Sequence, residues 1–236
     1  ETENKGCGRG PADAITWFFE NEEQGIILED DCLPHPDFFR FAEDMLERYK
    51  DDFRVTSIAG SNFQDGRIWG KASYYFSNHN RIWGWATWRR VWQQYDYYLS
   101  QETNETIESL INQCFSRQRD KQYWKRVLSN VLENRMNDSC WDFQFMFLQW
   151  KLGGLSLTTN INLVSNIGDG PDATHTNWDN NPNLNRIVAP LYPITNTEEV
   201  MLTTSADNYY MDKYILYHKN IFQRVIRKMK KIFRNS

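Results

Sequence analysis

The stretch Gly25-Ile26-Ile27-Leu28-Glu29-Asp30-Asp31-Cys32-Leu33-Pro34 constrains this chain more than any other. A short apolar run bounded by Gly25 and Pro34 reads as a strand. A strand that is continuously apolar is the pattern of a sheet buried on both faces, as parallel sheets are. Three consecutive carboxylates close the run. They repel one another and require a positive partner, and a divalent cation such as Mn²⁺ or Mg²⁺ is the simplest, because hard cations take carboxylate oxygens. In open α/β sheets ligands sit just outside the carboxyl ends of the strands, so these acids stand where a metal-bound phosphate is expected. The plain alternative is an acidic turn facing solvent.

A chain of 236 residues suffices for one large domain or two small ones. Its net charge of -4 argues against a nucleic-acid partner. Ten Trp and twelve Tyr make it unusually aromatic, which suits sugar and nucleotide sites and equally suits a core. Cys7, Cys32, Cys114 and Cys140 lack metal-ligand spacing and read as free thiols of a reducing compartment. No run is long and apolar enough to span a bilayer and no signal peptide is recognised, so a cytoplasmic location is expected. The sequon matches at Asn104 and Asn137 are accordingly read as chance.

Along the chain, the Gly-rich leader around Arg9 precedes a helix expected from Pro11 or Ala12 to about Glu20. A Gly-rich loop before a helix can cradle phosphate, and Arg9 is the leader residue of interest, although the spacing fits neither phosphate-binding fingerprint. Pro36-Asp37 opens a helix whose Phe38, Phe41, Ala42, Met45 and Tyr49 share a face. A strand follows over residues 53 to 60, so the pieces suggest a βαβ unit in a parallel sheet. A P-loop at Gly66 is excluded, because three residues rather than four separate it from Gly70 and Ala72 follows Lys71. Ser73–Ser77 is a short strand, and a helix is expected near Trp85 with Trp85, Trp88 and Trp92 on one face. Trp83-Gly84-Trp85 is either part of a core stripe or a tight turn lining a sugar pocket. Residues 96 to 139 read as a polar helical insertion exposed to solvent. Asp142 stands before an apolar helix, as a first-turn acid complementing the dipole or as a general base in a partly desolvated site. Short strands follow over 155 to 164, then a Gly-rich loop carrying His175, which reads as a lid or as a solvated loop. The tail from Asn208 reads as helix.

Four segments in order resemble a glycosyltransferase of the GT-A type, and bacterial relatives of the Golgi N-acetylglucosaminyltransferase that initiates hybrid N-glycans in particular. They are Ile26 to Asp31 with Pro36-Asp37-Phe38-Phe39; Ile82-Trp83-Gly84-Trp85; Cys140-Trp141-Asp142; and Asn166-Ile167-Gly168 through His175. The resemblance implies an α/β fold with a mixed, mainly parallel sheet flanked by helices. It implies a nucleotide-diphosphate sugar donor, a glycan or lipid-linked glycan acceptor, and Mn²⁺ or Mg²⁺ bound by Asp31. Asp30 would face the donor's ribose or sugar, with Glu29 completing the acidic motif. Asp142 would be the base of an inverting transfer, Trp83-Gly84-Trp85 would border the sugars, and the His175 loop would close over the diphosphate. The strand-helix-strand unit that normally opens this fold is missing, so the catalytic domain, residues 1 to 207, is expected to be N-terminally incomplete. The expected product belongs to surface polysaccharide or glycolipid synthesis. Two rival readings remain: a metal-dependent phosphohydrolase or nucleotidyltransferase, which would use the same acids on phosphate, and a non-catalytic carbohydrate-binding module, supported by the aromatic richness alone.

Residues 208 to 236 are expected to form a separate basic helix. Over 220 to 234, Ile221, Phe222, Val225, Ile226, Met229, Ile232 and Phe233 recur at helical spacing between Arg and Lys residues. A basic amphipathic helix is the pattern of an anchor on an anionic membrane surface, and it also suits a helix docked on its own domain.

Overall fold

The computed structural model describes residues 4–133, 140–168 and 183–216. Helices flank a mixed sheet of five strands. In chain order they are α1 (Gly6–Asn21), β1 (Gln24–Ile27), β2 (Cys32–Pro34), α2 (Pro36–Arg48), β3 (Val55–Ala59), β4 (Tyr74–Ser77), β5 (Trp85–Trp88), α3 (Arg89–Trp92), α4 (Asn104–Cys114), α5 (Gln118–Leu132), α6 (Asp142–Lys151), β6 (Leu155–Thr159), β7 (Val164–Asn166) and α7 (Thr204–Tyr210), the last continuing as a π-helical turn over Met211–Ile215.

The sheet runs β1-β5-β3-β6-β4, and only β3 and β6 pair in parallel. The expectation of a mainly parallel sheet is therefore corrected: β1–β5, β3–β5 and β4–β6 are antiparallel. The reason lies in the connections. Parallel neighbours need long crossovers, and β5 is reached from β3 through β4 and loops alone, with no crossover helix between them. The crossover through α2 does form, but β5 inserts between β1 and β3 and pairs with both. As a result β1 is an edge strand and only half-buried, not the doubly covered strand its apolar run suggests.

Two other expectations change. The first helix starts at Gly6, so the Gly-rich leader is helical and Pro11 lies inside it rather than at its start. Ala12, Ile15 and Phe19 bury one face there, and Trp92 Nε1 donates to Thr16 Oγ1 at 3.0 Å. That burial outweighs the helix-breaking tendency of the glycines and Pro11. The helix expected near Trp85 is strand β5, whose aromatic residues suit a sheet and gain two neighbouring strands.

Helix α2 forms as its sequence indicates. His35 caps it by accepting the Asp37 amide at 3.1 Å, and Phe38, Phe41, Ala42 and Met45 are buried. The polar insertion is not simply exposed. α4 and α5 each bury one face, and Ile107, Ile111, Trp124 and Leu128 form a second apolar core with Met146, Phe147 and Trp150 of α6. The other side of α6 gives Phe145 and Leu148 to the main core. A helix placed between two cores is buried nearly all round, which accounts for Phe143, Phe145 to Leu148 and Trp150, and Gln144 and Gln149 are buried with them. Asp142, its first residue, thus stands on one of the most enclosed helices of the molecule. Among the described residues no helix is long and apolar enough to cross a membrane. Residues 217–236, and with them the basic segment 220–234, lie outside the described residues.

Candidate functional site

The chain leaves β1 at Ile27, turns through the acids, and re-enters a sheet as β2, which pairs antiparallel with β7. The register sets Cys32 opposite Asn166. Asn166 Nδ2 consequently donates to Asp31 Oδ1 at 2.8 Å, and the Ile167 amide donates to the Asp31 carbonyl at 2.9 Å. Gly168 closes the cradle: a Cβ there would stand 2.2 Å from Asp31 Oδ2. Potential ligand atoms of Glu29, Asp31 and Cys32 all lie within 4.8 Å of one another, while Asp30 falls outside this group. Burial, followed by the charges of Asp31, Asp142 and Asp30, pushes the Glu29 carboxyl up to about 7. Burial also pushes the Cys32 thiol up to about 12, so it keeps its proton at neutral pH.

Asp142 is therefore electrostatically part of the acidic turn, although it is more than a hundred residues away in sequence. Its position is set by Trp141, whose ring stacks on Trp85 with centroids 5.7 Å apart. Tyr95 Oη donates to the Trp141 carbonyl at 2.9 Å, and Gln144 Nε2 donates to the Tyr97 carbonyl at 3.1 Å. Asp142 also lines a cavity of about 230 Å³, together with Phe63, His79, Arg81, Trp83 and Tyr210. None of Glu29, Asp30 and Asp31 lines it. Asp142 thus lines the cavity while its charge is felt by Glu29 of the acidic turn.

The remaining sequence candidates divide. Trp83 lines the cavity, its ring centroid 5.5 Å from that of Phe63. Gly84 lies behind it in the left-handed region at φ 69°. Its carbonyl accepts the Gly60 amide at 2.8 Å, and its backbone also bonds the Cys32 thiol. Trp85 is 1% exposed and packs in the core against Trp92, Trp141 and Phe145, not in the cavity. Arg9 pairs with Asp13 at 2.7 Å and lies over the rings of Tyr97 and Tyr98, rather than against the acidic turn. His175 lies outside the described residues. Cys32 and Asn166 beside Asp31, and His79 and Arg81 in the cavity, are not expected as site residues from the sequence. Arg81 carried one signal: it is the cation directly before Ile82-Trp83-Gly84-Trp85.

The turn at Gly84 yields a first prediction. A Cβ at Gly84 would stand 2.5 Å from Val164 Cγ2, and Val164 is itself buried in β7. Gly84→Ala adds left-handed strain to overpacking, and should lower stability by about 2–4 kcal/mol. A urea midpoint equal to that of the parent would show that β7 can move away at little cost.

No protein-family model matches this chain, and no curated protein is significantly similar to it.

Proposed function

We propose that the protein is a metal-dependent, inverting glycosyltransferase of GT-A type that moves a sugar from a nucleotide-diphosphate donor to a glycan hydroxyl, in surface polysaccharide or glycolipid synthesis. The observation that carries the reading is the junction at Asp142. One carboxylate joins a cluster of acids suited to a cation on one side and an aromatic cavity suited to a sugar ring on the other. The reading rests on this site and not on the sheet, whose mainly antiparallel pairing departs from the resemblance.

The donor set fits a hard cation. Glu29 and Asp31 offer carboxylate oxygens, Asn166 orients Asp31, and the crowded acids that raise the Glu29 pKa are what a cation would relieve. The Cys32 thiol, which keeps its proton, is the soft member and is not required. When bound, Mn²⁺ or Mg²⁺ would neutralise the charge that develops on the departing diphosphate. Asp142 holds the proton-accepting oxygen at the cavity wall, where an acceptor hydroxyl would lose its proton. Among the described lining residues it is the only carboxylate, which is in keeping with inversion. Trp83, Phe63 and Tyr210 supply flat apolar faces for a sugar and limit access of water. On this reading the segment 220–234 would bring the enzyme to an anionic membrane carrying a lipid-linked acceptor.

The test is release of nucleotide diphosphate from a panel of nucleotide sugars with Mn²⁺ and a mixed oligosaccharide pool. Release should require acceptor and should stop with EDTA. Inorganic phosphate released without acceptor would instead indicate a phosphohydrolase. Sugar binding that ignores EDTA, with no release at all, would indicate a carbohydrate-binding module.

A further inference from the structure

The cavity beside Asp142 carries a buried cation with an open hydrogen-bonding fork. Arg81 is 5% exposed. Its Nη1 donates to the Asn80 carbonyl at 2.8 Å, but Nε and Nη2 have no hydrogen-bond partner among the described residues. The guanidinium lies flat on Tyr210, 3.6 Å from the ring centroid, which fixes its plane. Asp207 feels the Arg81 charge, but its oxygens are taken by Ser77 Oγ and the Asn78 amide. Ser61 Oγ and Asn80 Nδ2 line the same cavity and are also buried without partners. His79, fully buried with both ring nitrogens unpartnered, completes the wall. Burial, with the Arg81 charge next, holds the His79 imidazole neutral, and the neighbouring Arg186, over Phe63 and Tyr214, is paired with Asp65, so among the described lining residues Arg81 is the cation with open donors.

Buried polar groups are normally satisfied, and an unpaired buried charge is costly, so this wall is organised for a partner that the described residues do not supply. A planar fork with adjacent N–H and O–H donors matches a carboxylate or phosphate. The donor diphosphate is not the natural occupant. The cavity is lined by Asp142 but by none of Glu29, Asp30 and Asp31, so it lies on the acceptor side of Asp142.

We propose that the acceptor is an acidic sugar, whose carboxylate or phosphate is held by Arg81 while its ring rests on Trp83 and Phe63. The acceptor side of the assignment rests on the glycosyltransferase reading; the acidic-ligand site does not. The test is calorimetry and ligand-observed NMR on the full chain, without donor or metal, using D-galactose, D-galacturonate, galactose 6-phosphate and inorganic phosphate. The acidic sugars should bind about 10- to 100-fold more tightly than galactose, the range for charge-assisted hydrogen bonds, and Arg81→Met should abolish that preference. Whichever acid binds better tells a uronate from a sugar phosphate. Equal affinity of the parent for galactose and both acids would overturn the inference, and this comparison stands even if Arg81→Met does not fold. Inorganic phosphate binding as tightly as the acidic sugars would also overturn it, since no sugar would then be recognised. A protein that prefers the acids yet transfers no sugar loses the proposed activity and keeps the acidic-ligand site. One that transfers to neutral acceptors without that preference keeps the activity and loses this inference.

Discussion

Asp142→Asn is expected to reduce sugar transfer by about 10²- to 10⁴-fold, the usual range for loss of a general base, while donor and metal binding persist. The variant separates the two roles that a first-turn acid can have. Asn has the size of Asp and still fits at the start of α6, where Trp141 and Gln144 hold the backbone. If Asp142 served only the helix dipole, its loss would cost about 0.3–1 kcal/mol of stability and leave the chemistry untouched. The kinetic range corresponds to roughly 3–5 kcal/mol of barrier, so the two outcomes do not overlap. The substitution also removes one of the charges that raise the Glu29 pKa, so Glu29 should titrate below about 7 in the variant. Single-turnover transfer and the Glu29 carboxyl carbon shift across pH are the measurements. Near-normal turnover with a lowered Glu29 pKa would leave Asp142 as a helix-terminal acid that merely faces the acidic turn.

Local chemistry in the sequence was enough for α2, where His35, Pro36 and the Phe38-Phe41-Met45 spacing all act within one helix. It was enough to single out Glu29, Asp31, Trp83 and Asp142, because carboxylates and aromatics in apolar surroundings are conspicuous in a linear string. What could not be read depends on partners distant in sequence. Trp85 and Trp88 have helical spacing with Trp92, and only the insertion of β5 between β1 and β3 makes them strand. The polar look of α4 and α5 hid one buried face each, visible only once α6 lies against them. Arg81 is an ordinary surface residue in sequence, and burial against Tyr210, well over a hundred residues later, gives it its significance. The pairing of Asp31 with Asn166 likewise depends on the register of β2 against β7.

That register frames the second large effect. Asp31→Ala is expected to abolish Mn²⁺-dependent donor binding and leave the fold intact. The fold argument is direct. The β2–β7 pairing and the bond from the Ile167 amide to the residue 31 carbonyl are backbone interactions that Ala preserves. Removing Asp31 also removes the largest charge acting against ionised Glu29, so repulsion within the turn decreases. The substitution leaves Asn166 Nδ2, in a residue 2% exposed, without its acceptor and removes the weak 3.9 Å contact of the Cys32 thiol, a local cost that the relieved repulsion offsets. Metal binding should fall in a graded series of variants. Asn166→Ala leaves both carboxylates but removes the amide that orients Asp31 and accepts the Gly168 N–H, which should weaken metal affinity by about 10- to 100-fold, as is usual for a supporting residue. Asp31→Ala removes a ligand outright and should exceed that. Cys32→Ser should leave Mn²⁺ dependence unchanged, because a thiol raised to about 12 carries its proton at neutral pH and is a poor ligand for a hard cation. Calorimetry of a nucleotide diphosphate with and without EDTA reads all three variants. Donor affinity in Asp31→Ala equal to that of the parent, in both conditions, would remove the cation from this turn, and a loss confined to Cys32→Ser would point to a thiophilic metal instead.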